Sequence, residues 1–242
     1  MSEITNLPDH VAIILDGNRR WARGRELQVE DGHRKGIETL VLIAKAAASF
    51  DIKYLTLFSF SKENWKRDPA EISNLMYLME SFESAYLDEI ISNNIRVSVI
   101  GDIDTLAKPQ KKIIKMVQER TQDNKGMRLI AAFNYSGRDE IIRALKKILS
   151  DVQLAKISTD MINNDLMSNY LDTANIPDPD LIIRTSGEMR LSNFLLWQCA
   201  YSEFVFTETL WPDFTVDQFH NALKQFSQRE RRYGRNTPNK GV

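Results

Sequence analysis

Apolar runs and helical periodicities alternate along this chain. Residues 11–15 (VAIIL) form a short apolar run without period-two alternation, and 54–58, 95–100, 129–133 and 181–183 share its character. Residues 204–206 (FVF) are a sixth candidate. Such runs fit strands buried on both faces of a parallel sheet, although runs this short do not by themselves exclude helix. Helical spacing covers about 33–49, 70–93, 105–122, 138–150, 159–171 and 215–230. The clearest stripe is Ile72, Leu75, Met76, Met79, Phe82, Tyr86 and Ile90. Its periodicity leaves open whether it packs as core or walls an apolar cavity. Strand–helix alternation predicts βαβ crossovers and an open, six-stranded, mostly parallel α/β sheet.

Composition narrows the class. At 242 residues the chain fits a single domain over 1–242, with a polar tail at 235–242. Apolar residues make up 43% and charged residues 27%, ordinary for a globular protein. Lys plus Arg is 32 against 33 Asp plus Glu, so a generally basic nucleic-acid coat is excluded and no nucleic-acid partner is expected. Cys199 is the only cysteine, which rules out an internal disulfide and any cysteine-based zinc cluster. No run approaches 18 apolar residues and the first residues lack a secretory pattern, so a cytoplasmic protein is expected.

Local charge is less even than the total. Residues 19–36 hold six basic and three acidic residues, and 224–242 hold six basic against Glu230 alone. Arg184 and Arg190 form a third basic spot. Two of these clusters directly follow predicted strands, where open parallel sheets bind ligands. Arginine suits bidentate pairing with phosphate. After the first strand comes Asp16-Gly-Asn-Arg-Arg-Trp21. Its plain reading is a turn with Asp16 capping a helix. Its functional reading is a diphosphate site: Asp16 on Mg²⁺, Gly17 allowing close backbone approach, Arg20 pairing with an anion. No GxxxxGK[ST] loop occurs, which excludes a P-loop. After the fifth strand, Thr185-Ser186-Gly187 reads as an anion nest, with Arg184 and Arg190 as a two-sided phosphate clamp.

The blocks HVAIILDGNRRWA (10–22), GHRKG (32–36), LTLFSFSKENWKR (55–67), FNYSGRDEI (133–141), DLIIRTSGEMRLSNFLLWQ (180–198) and YSEFVFTETLWPDF (201–214) are collinear over about 9–234. Together they resemble the cis-prenyltransferase family, most of all its bacterial, undecaprenyl-forming branch. The absence of DDxxD agrees with that resemblance. It implies a homodimeric, non-Rossmann α/β fold with an apolar tunnel. It also implies repeated condensation of isopentenyl diphosphate onto an allylic diphosphate such as farnesyl diphosphate, each new double bond being cis. Peripheral contact with a membrane during product release is a further implication.

By the same resemblance, Asp16 is the essential aspartate and a Mg²⁺ ligand, with Glu203 as a second ligand. Gly17, Asn18, Arg19, Arg20, Trp21 and His33 fall at the allylic diphosphate. Ser61, Lys62, Glu63, Trp65 and Arg67 fall on a substrate loop, and Asn64 matches the proton acceptor. Arg184, Arg190, Leu191 and Ser192 match the isopentenyl diphosphate site. The chain departs from the family at Arg19, often glycine; at Met189, histidine in some members; and at Val29, commonly arginine. Arg23 and Arg25 are the candidate substitutes for that missing arginine. An amide is a weak base, so a diphosphate oxygen or a water held by Asn64 and Ser61 is the easier proton acceptor. Two rivals remain. A phosphohydrolase using Asp16 would want a second acid where Asn18 stands, and a non-catalytic partner subunit would be expected to lack Asp16 or the Asn64 loop.

Overall fold

The computed structural model describes residues 6–230. The polar tail and the basic residues Arg231, Arg232, Arg235 and Lys240 lie outside that range. Six strands form one sheet: β1 (His10–Ile14), β2 (Tyr54–Ser61), β3 (Arg96–Ile100), β4 (Arg128–Tyr135), β5 (Leu181–Arg184) and β6 (Glu203–Phe206). Their order is β3-β4-β2-β1-β5-β6, and every neighbouring pair is parallel. Seven α-helices connect and cover them: α1 (Asn18–Arg23), α2 (Val29–Ser49), α3 (Pro69–Ser92), α4 (Lys108–Thr121), α5 (Gly137–Gln153), α6 (Asn164–Tyr170) and α7 (Val216–Ser227). The sheet is thus fully parallel rather than mostly so.

The continuous apolar runs become strands because both faces are covered. On one face Val11, Ile13, Leu55, Leu57, Leu129, Leu181 and Ile183 pack with Ile43 and Ala47 of α2, Leu87 and Ile90 of α3, Val117 of α4 and Phe219 and Leu223 of α7. On the other, Ala12, Ile14, Ile130, Ala132 and Ile182 meet Tyr135, Phe194, Leu195 and Cys199. Every residue of β1 is buried.

Caps fix several ends. The Asp68 carboxylate accepts the N–H of Ala70 at 2.8 Å and Pro69 opens α3, a pairing suited to a first helical turn. Asn163 likewise accepts the N–H of Leu166 and starts α6, which splits the expected 159–171 helix into a short 3-10 turn and α6. The α4 helix starts at Lys108, with Pro109 in its first turn, and not at 105. The six-residue α1 escaped the periodicity reading because it is too short to show a period. The α2 helix runs four residues further toward the N-terminus than predicted, through Gly32. A Cβ at Gly32 would sit 2.3 Å from the Asn18 backbone oxygen, so glycine there lets α1 lie against α2.

His10 shows how the core sets a pH dependence. Its Nδ1 lies 2.6 Å from the Pro177 carbonyl, which can only accept, so Nδ1 carries the proton. Nε2 then accepts from the Thr56 hydroxyl at 2.7 Å. Burial pushes its pKa down to about 4, against the raising effects of Pro177 and Asp180. The unfolded chain, with an ordinary histidine, binds the proton first. Stability is therefore complete above about pH 6.5 and lost as pH falls toward 4, by about 3 kcal/mol from this group. Urea unfolding of wild type and His10→Gln across that window checks this; parallel pH slopes would remove His10 as the cause.

Candidate active site

The chain leaves β1, builds β2, β3 and β4 on one side of it, then crosses to place β5 and β6 on the other. The carboxyl ends of β1 and β5 therefore flank a topological switch point, the crevice where open α/β sheets bind ligands. Register pairs Ile14 with Arg184, so Asp16 and Arg184 meet there. Arg184 Nη2 donates to Asp16 Oδ2 at 2.8 Å, and Nη1 donates to Ser192 Oγ at 2.8 Å and to the Arg190 carbonyl. Thr185, fully buried, locks the junction: its hydroxyl accepts the Asp16 N–H at 3.0 Å and donates to the Asp16 carbonyl at 2.7 Å. Arg20 approaches Asp16 Oδ1 at 3.8 Å and donates to the Ser186 carbonyl at 3.0 Å. Burial raises the Asp16 pKa, but hydrogen bonds from Arg184 and Ser186 and the charges of Arg184 and Arg20 outweigh it and hold the carboxyl below its usual range. Asp16 is thus an ionised carboxylate at neutral pH. Gly17 turns the chain into α1 at φ 116°, a left-handed conformation, with Leu210 only 2.9 Å from where a Cβ would stand.

Around this pair lies a polar cavity of about 490 Å³. It is lined by Asp16, Asn18, His33, Ser61, Glu63, Asn64, Arg67, Arg184 and Ser192, nine of the predicted site residues, drawn from four separate sequence blocks. Leu15, Asn18, His33, Ser59 and Leu75 line this cavity and also a second, apolar one of about 200 Å³, so the two adjoin. The apolar cavity is walled by Leu75, Leu78, Met79 and Phe82 of α3. The α3 stripe therefore divides: Leu75, Met79 and Phe82 wall the cavity, while Ile90, like the neighbouring Leu87, is fully buried core.

His33 is buried, and burial first, then the positive charges of Arg67 and Arg19, lower its pKa despite Glu71 and Glu30. It is a neutral imidazole at pH 7. Glu71 was invisible in the sequence, yet it is buried and gathers Arg67 at 3.0 Å, Arg19 at 3.7 Å and His33 Nε2 at 3.7 Å. Of four buried side-chain polar atoms without partners among the described residues, three, Asn18 Oδ1, His33 Nδ1 and Arg184 Nε, belong to residues lining the polar cavity, and the fourth, Gln198 Oε1, does not. Unsatisfied polar groups concentrated this way mark a functional site.

Several expected roles change. Lys62 does not line the cavity: its ammonium lies 2.7 Å from Asp102 and 2.8 Å from Asp139. The Trp65 indole donates to Asn134 Oδ1 at 2.8 Å, and the Trp21 indole to Asp213 at 2.7 Å. Leu191 packs against the second core face. The clamp of two arginines is not formed, because the exposed Arg190 guanidinium pairs with Glu188. Nor is Thr185-Ser186-Gly187 an anion nest: the Ser186 and Gly187 N–H groups donate to Thr209 and Thr207 carbonyls at 2.8 Å. Asn64 Oδ1 accepts the Ser61 N–H at 3.0 Å, so that oxygen already holds the turn together.

Glu203 registers with Leu181, and Leu181 with Val11, five residues before Asp16. At about 3.3 Å per residue the two acids stand about 16 Å apart along the strands. Glu203 pairs with Arg229 at 2.8 Å. One ion held by Asp16 and Glu203 of the same chain is thereby excluded. Arg25 stacks over Trp21 at 4.5 Å and pairs with Asp213 at 2.9 Å, so it is committed to this strut instead of replacing an arginine at Val29, the first residue of α2. Arg25→Ala is expected to move the dissociation constant of farnesyl thiodiphosphate by less than twofold; a calorimetric titration checks it.

An ionised aspartate and a buried arginine at a switch point, opening onto an apolar cavity, form a site suited to molecules with an anionic head and a hydrocarbon tail. The family model described as "Putative undecaprenyl diphosphate synthase" matches residues 14–234. An isoprenyl transferase of Clostridium perfringens is 48% identical over 94% of this chain and 90% of its own. One from Brucella suis is 49% identical over 94% and 89%. The crystal structure of lavandulyl diphosphate synthase from Lavandula x intermedia, in complex with dimethylallyl diphosphate, superposes with a TM-score of 0.91 at 37% identity, covering 94% of this chain and 98% of that one. That of a probable undecaprenyl diphosphate synthase from Campylobacter jejuni gives 0.79 at 34%, covering 96% and 100%. The chain belongs to this isoprenyl transferase family and is a prenyltransferase.

Proposed function

We propose that this protein is a cis-prenyltransferase that condenses isopentenyl diphosphate repeatedly onto an allylic diphosphate, farnesyl diphosphate by preference, to give a polyprenyl diphosphate of undecaprenyl type for a cell-wall lipid carrier. The observation that carries this reading is the junction of the two cavities. Asp16 and Arg184 sit at the polar end, and Leu75, Met79 and Phe82 receive hydrocarbon at the other. A growing isoprenoid needs both, since each buried CH₂ contributes about 0.8 kcal/mol. A similar structure solved in complex with dimethylallyl diphosphate supports an allylic diphosphate as substrate.

In each cycle the allylic C1–O bond breaks and its electron pair leaves with diphosphate. The isopentenyl C3=C4 electrons form the new bond to C1, and loss of a C2 proton forms the new C2=C3 double bond. Arg184 and Arg20 stabilise the charge on diphosphate from fixed positions. Asp16 fits Mg²⁺ as a single ionised carboxylate facing a cavity, because this ion often takes one or two carboxylates plus phosphate oxygens. Among the described residues no group of three acids, histidines or cysteines stands ready to hold a metal alone. When bound, Mg²⁺ neutralises negative charge on the departing diphosphate. Neutral His33 donates or accepts a hydrogen bond without adding charge. Asn64 and Ser61 orient the water or diphosphate oxygen that receives the proton. Both substrates held in one cavity supply the orientation term.

A homodimer is supported by the exposed stripe Ile142, Leu145 and Leu149 on α5, one face left without cover. No helix among the described residues is long and apolar enough to cross a membrane; the membrane contact proposed for product release is a peripheral one. The partner-subunit reading loses ground because Asp16 and Arg184 are both in place. Incubation with farnesyl and labelled isopentenyl diphosphates plus Mg²⁺, with products resolved by chain length, tests the proposal. Products of 55 carbons with cis double bonds are expected, and absence of any elongation would overturn it.

A further inference from the structure

The turn that carries Asn64 is fastened at both ends by residues that line neither cavity. It is the 3-10 turn Lys62–Lys66, which directly follows β2. At its start the Lys62 ammonium donates to Asp102 Oδ2 at 2.7 Å and to Asp139 Oδ1 at 2.8 Å. Asp102 follows β3, and Asp139 lies in the first turn of α5, after β4. One lysine thus ties together the segments beyond three neighbouring strands. Its side chain is 29% exposed and that of Asp102 only 12%, so solvent screens the contact less than at an open surface.

The contact belongs to a ring. Asp139 Oδ2 accepts Arg143 Nε at 2.9 Å, Arg143 Nη1 donates to Asp172 Oδ1 at 2.7 Å, and Asp172 Oδ2 accepts the N–H of Gly101 at 3.1 Å. Gly101 adjoins Asp102, which closes the circuit. Burial works against the charge of Lys62, but Asp102 and Asp139 outweigh it and raise its pKa. The cation persists at any working pH. The far end of the turn has its own tie. Trp65 donates to Asn134 Oδ1, and Asn134 Nδ2 donates to the Asp102 carbonyl at 2.7 Å and Thr105 Oγ1 at 3.0 Å. Between these two ties stand Glu63 and Asn64, which do line the polar cavity.

We propose that Lys62 is a positioning residue: clasped by Asp102 and Asp139, it pins the start of the turn so that Glu63 and Asn64 face the polar cavity. Its role in reaction rests on reading that cavity as the diphosphate site, but its role in the fold does not. The opposing assignment makes Lys62 a direct phosphate ligand.

Trypsin separates these, because Lys66 and Arg67 are cleavage sites on the pinned segment. Lys62→Met keeps the stem and removes the charge. It is expected to speed cleavage after Lys66 or Arg67 at least fivefold, read by mass spectrometry, with the thermal midpoint nearly unchanged. Lys62→Arg should restore the wild-type rate. In turnover assays Lys62→Met and Asp102→Ala should each lower kcat/KM about tenfold, and the double variant should be no worse than the poorer single one, the signature of one shared contact. Equal cleavage rates in wild type and Lys62→Met would overturn the clasp. So would Lys62→Met raising KM for a diphosphate while Asp102→Ala is silent, since that pattern belongs to a phosphate ligand. Should Lys62→Met melt below the assay temperature, Asp102→Ala reads the same contact from its other side, and wild-type cleavage there would be decisive against it. The protease arm needs no substrate, so an inactive preparation would sink the proposed function and leave the clasp measurable.

Discussion

Asp16→Ala is expected to fold normally and to lose nearly all condensation. The side chain is half-exposed in the polar cavity, and the strand junction beneath it is held by Thr185 through the Asp16 backbone, which the substitution leaves alone. Arg184 keeps Ser192 and the Arg190 carbonyl as partners. What disappears is the ionised carboxylate that, on the proposed function, holds Mg²⁺ against a diphosphate, a contribution of several kcal/mol in the transition state. Turnover and thermal unfolding measured on the same preparation check this. Asp16→Asn, of the same size, should match the alanine variant. Retention of more than about a tenth of the wild-type rate, under about 1.4 kcal/mol of barrier, would show that Asp16 does not hold the metal.

Arg184→Ala is expected to be nearly as damaging, and in a distinguishable way. Its guanidinium is 4% exposed and serves Asp16, Ser192 and the 190 backbone at once. Charge-assisted hydrogen bonds contribute roughly 1.5–3 kcal/mol each, so a loss of about a hundredfold in kcat/KM for isopentenyl diphosphate follows. The variant also removes the main support for the Asp16 charge while burial, which opposes that charge, remains. The Asp16 pKa must then rise, and the acid limb of the pH–rate profile should move to higher pH. Arg184→Lys should restore part of the limb but not the bidentate contact. Arg190→Ala, from an exposed side chain paired with Glu188, should cost much less. An unmoved acid limb in Arg184→Ala would mean that another group sets it.

The sheet was legible in the chain because parallel strands buried on two faces must be apolar throughout. All six runs became strands, although β2 and β4 continue through irregular register to Ser61 and Tyr135. Long helices were legible for the same kind of reason, since one face of α2, α3 and α7 has to be apolar. The site was half legible. Asp16 follows β1 and Arg184 ends β5, and a parallel sheet brings its strand ends to one edge. Lys62, Arg190 and Glu203 carry the right chemistry in the right blocks, yet their partners are Asp102 and Asp139, Glu188, and Arg229. Charge and spacing cannot reveal a partner far along the chain.

By itself, then, the sequence determined which segments are strands and long helices, and which edge of the sheet carries the chemistry. Periodicity and strand-end position are local properties, written in consecutive residues. Only the tertiary structure decided that Glu203 faces the opposite edge from Asp16, that the α3 stripe is cavity wall at Leu75 and core at Ile90, and that Glu71 gathers Arg19, His33 and Arg67. Each of these depends on strand order and register, which are fixed by how the whole core packs and not by any stretch of neighbours along the chain.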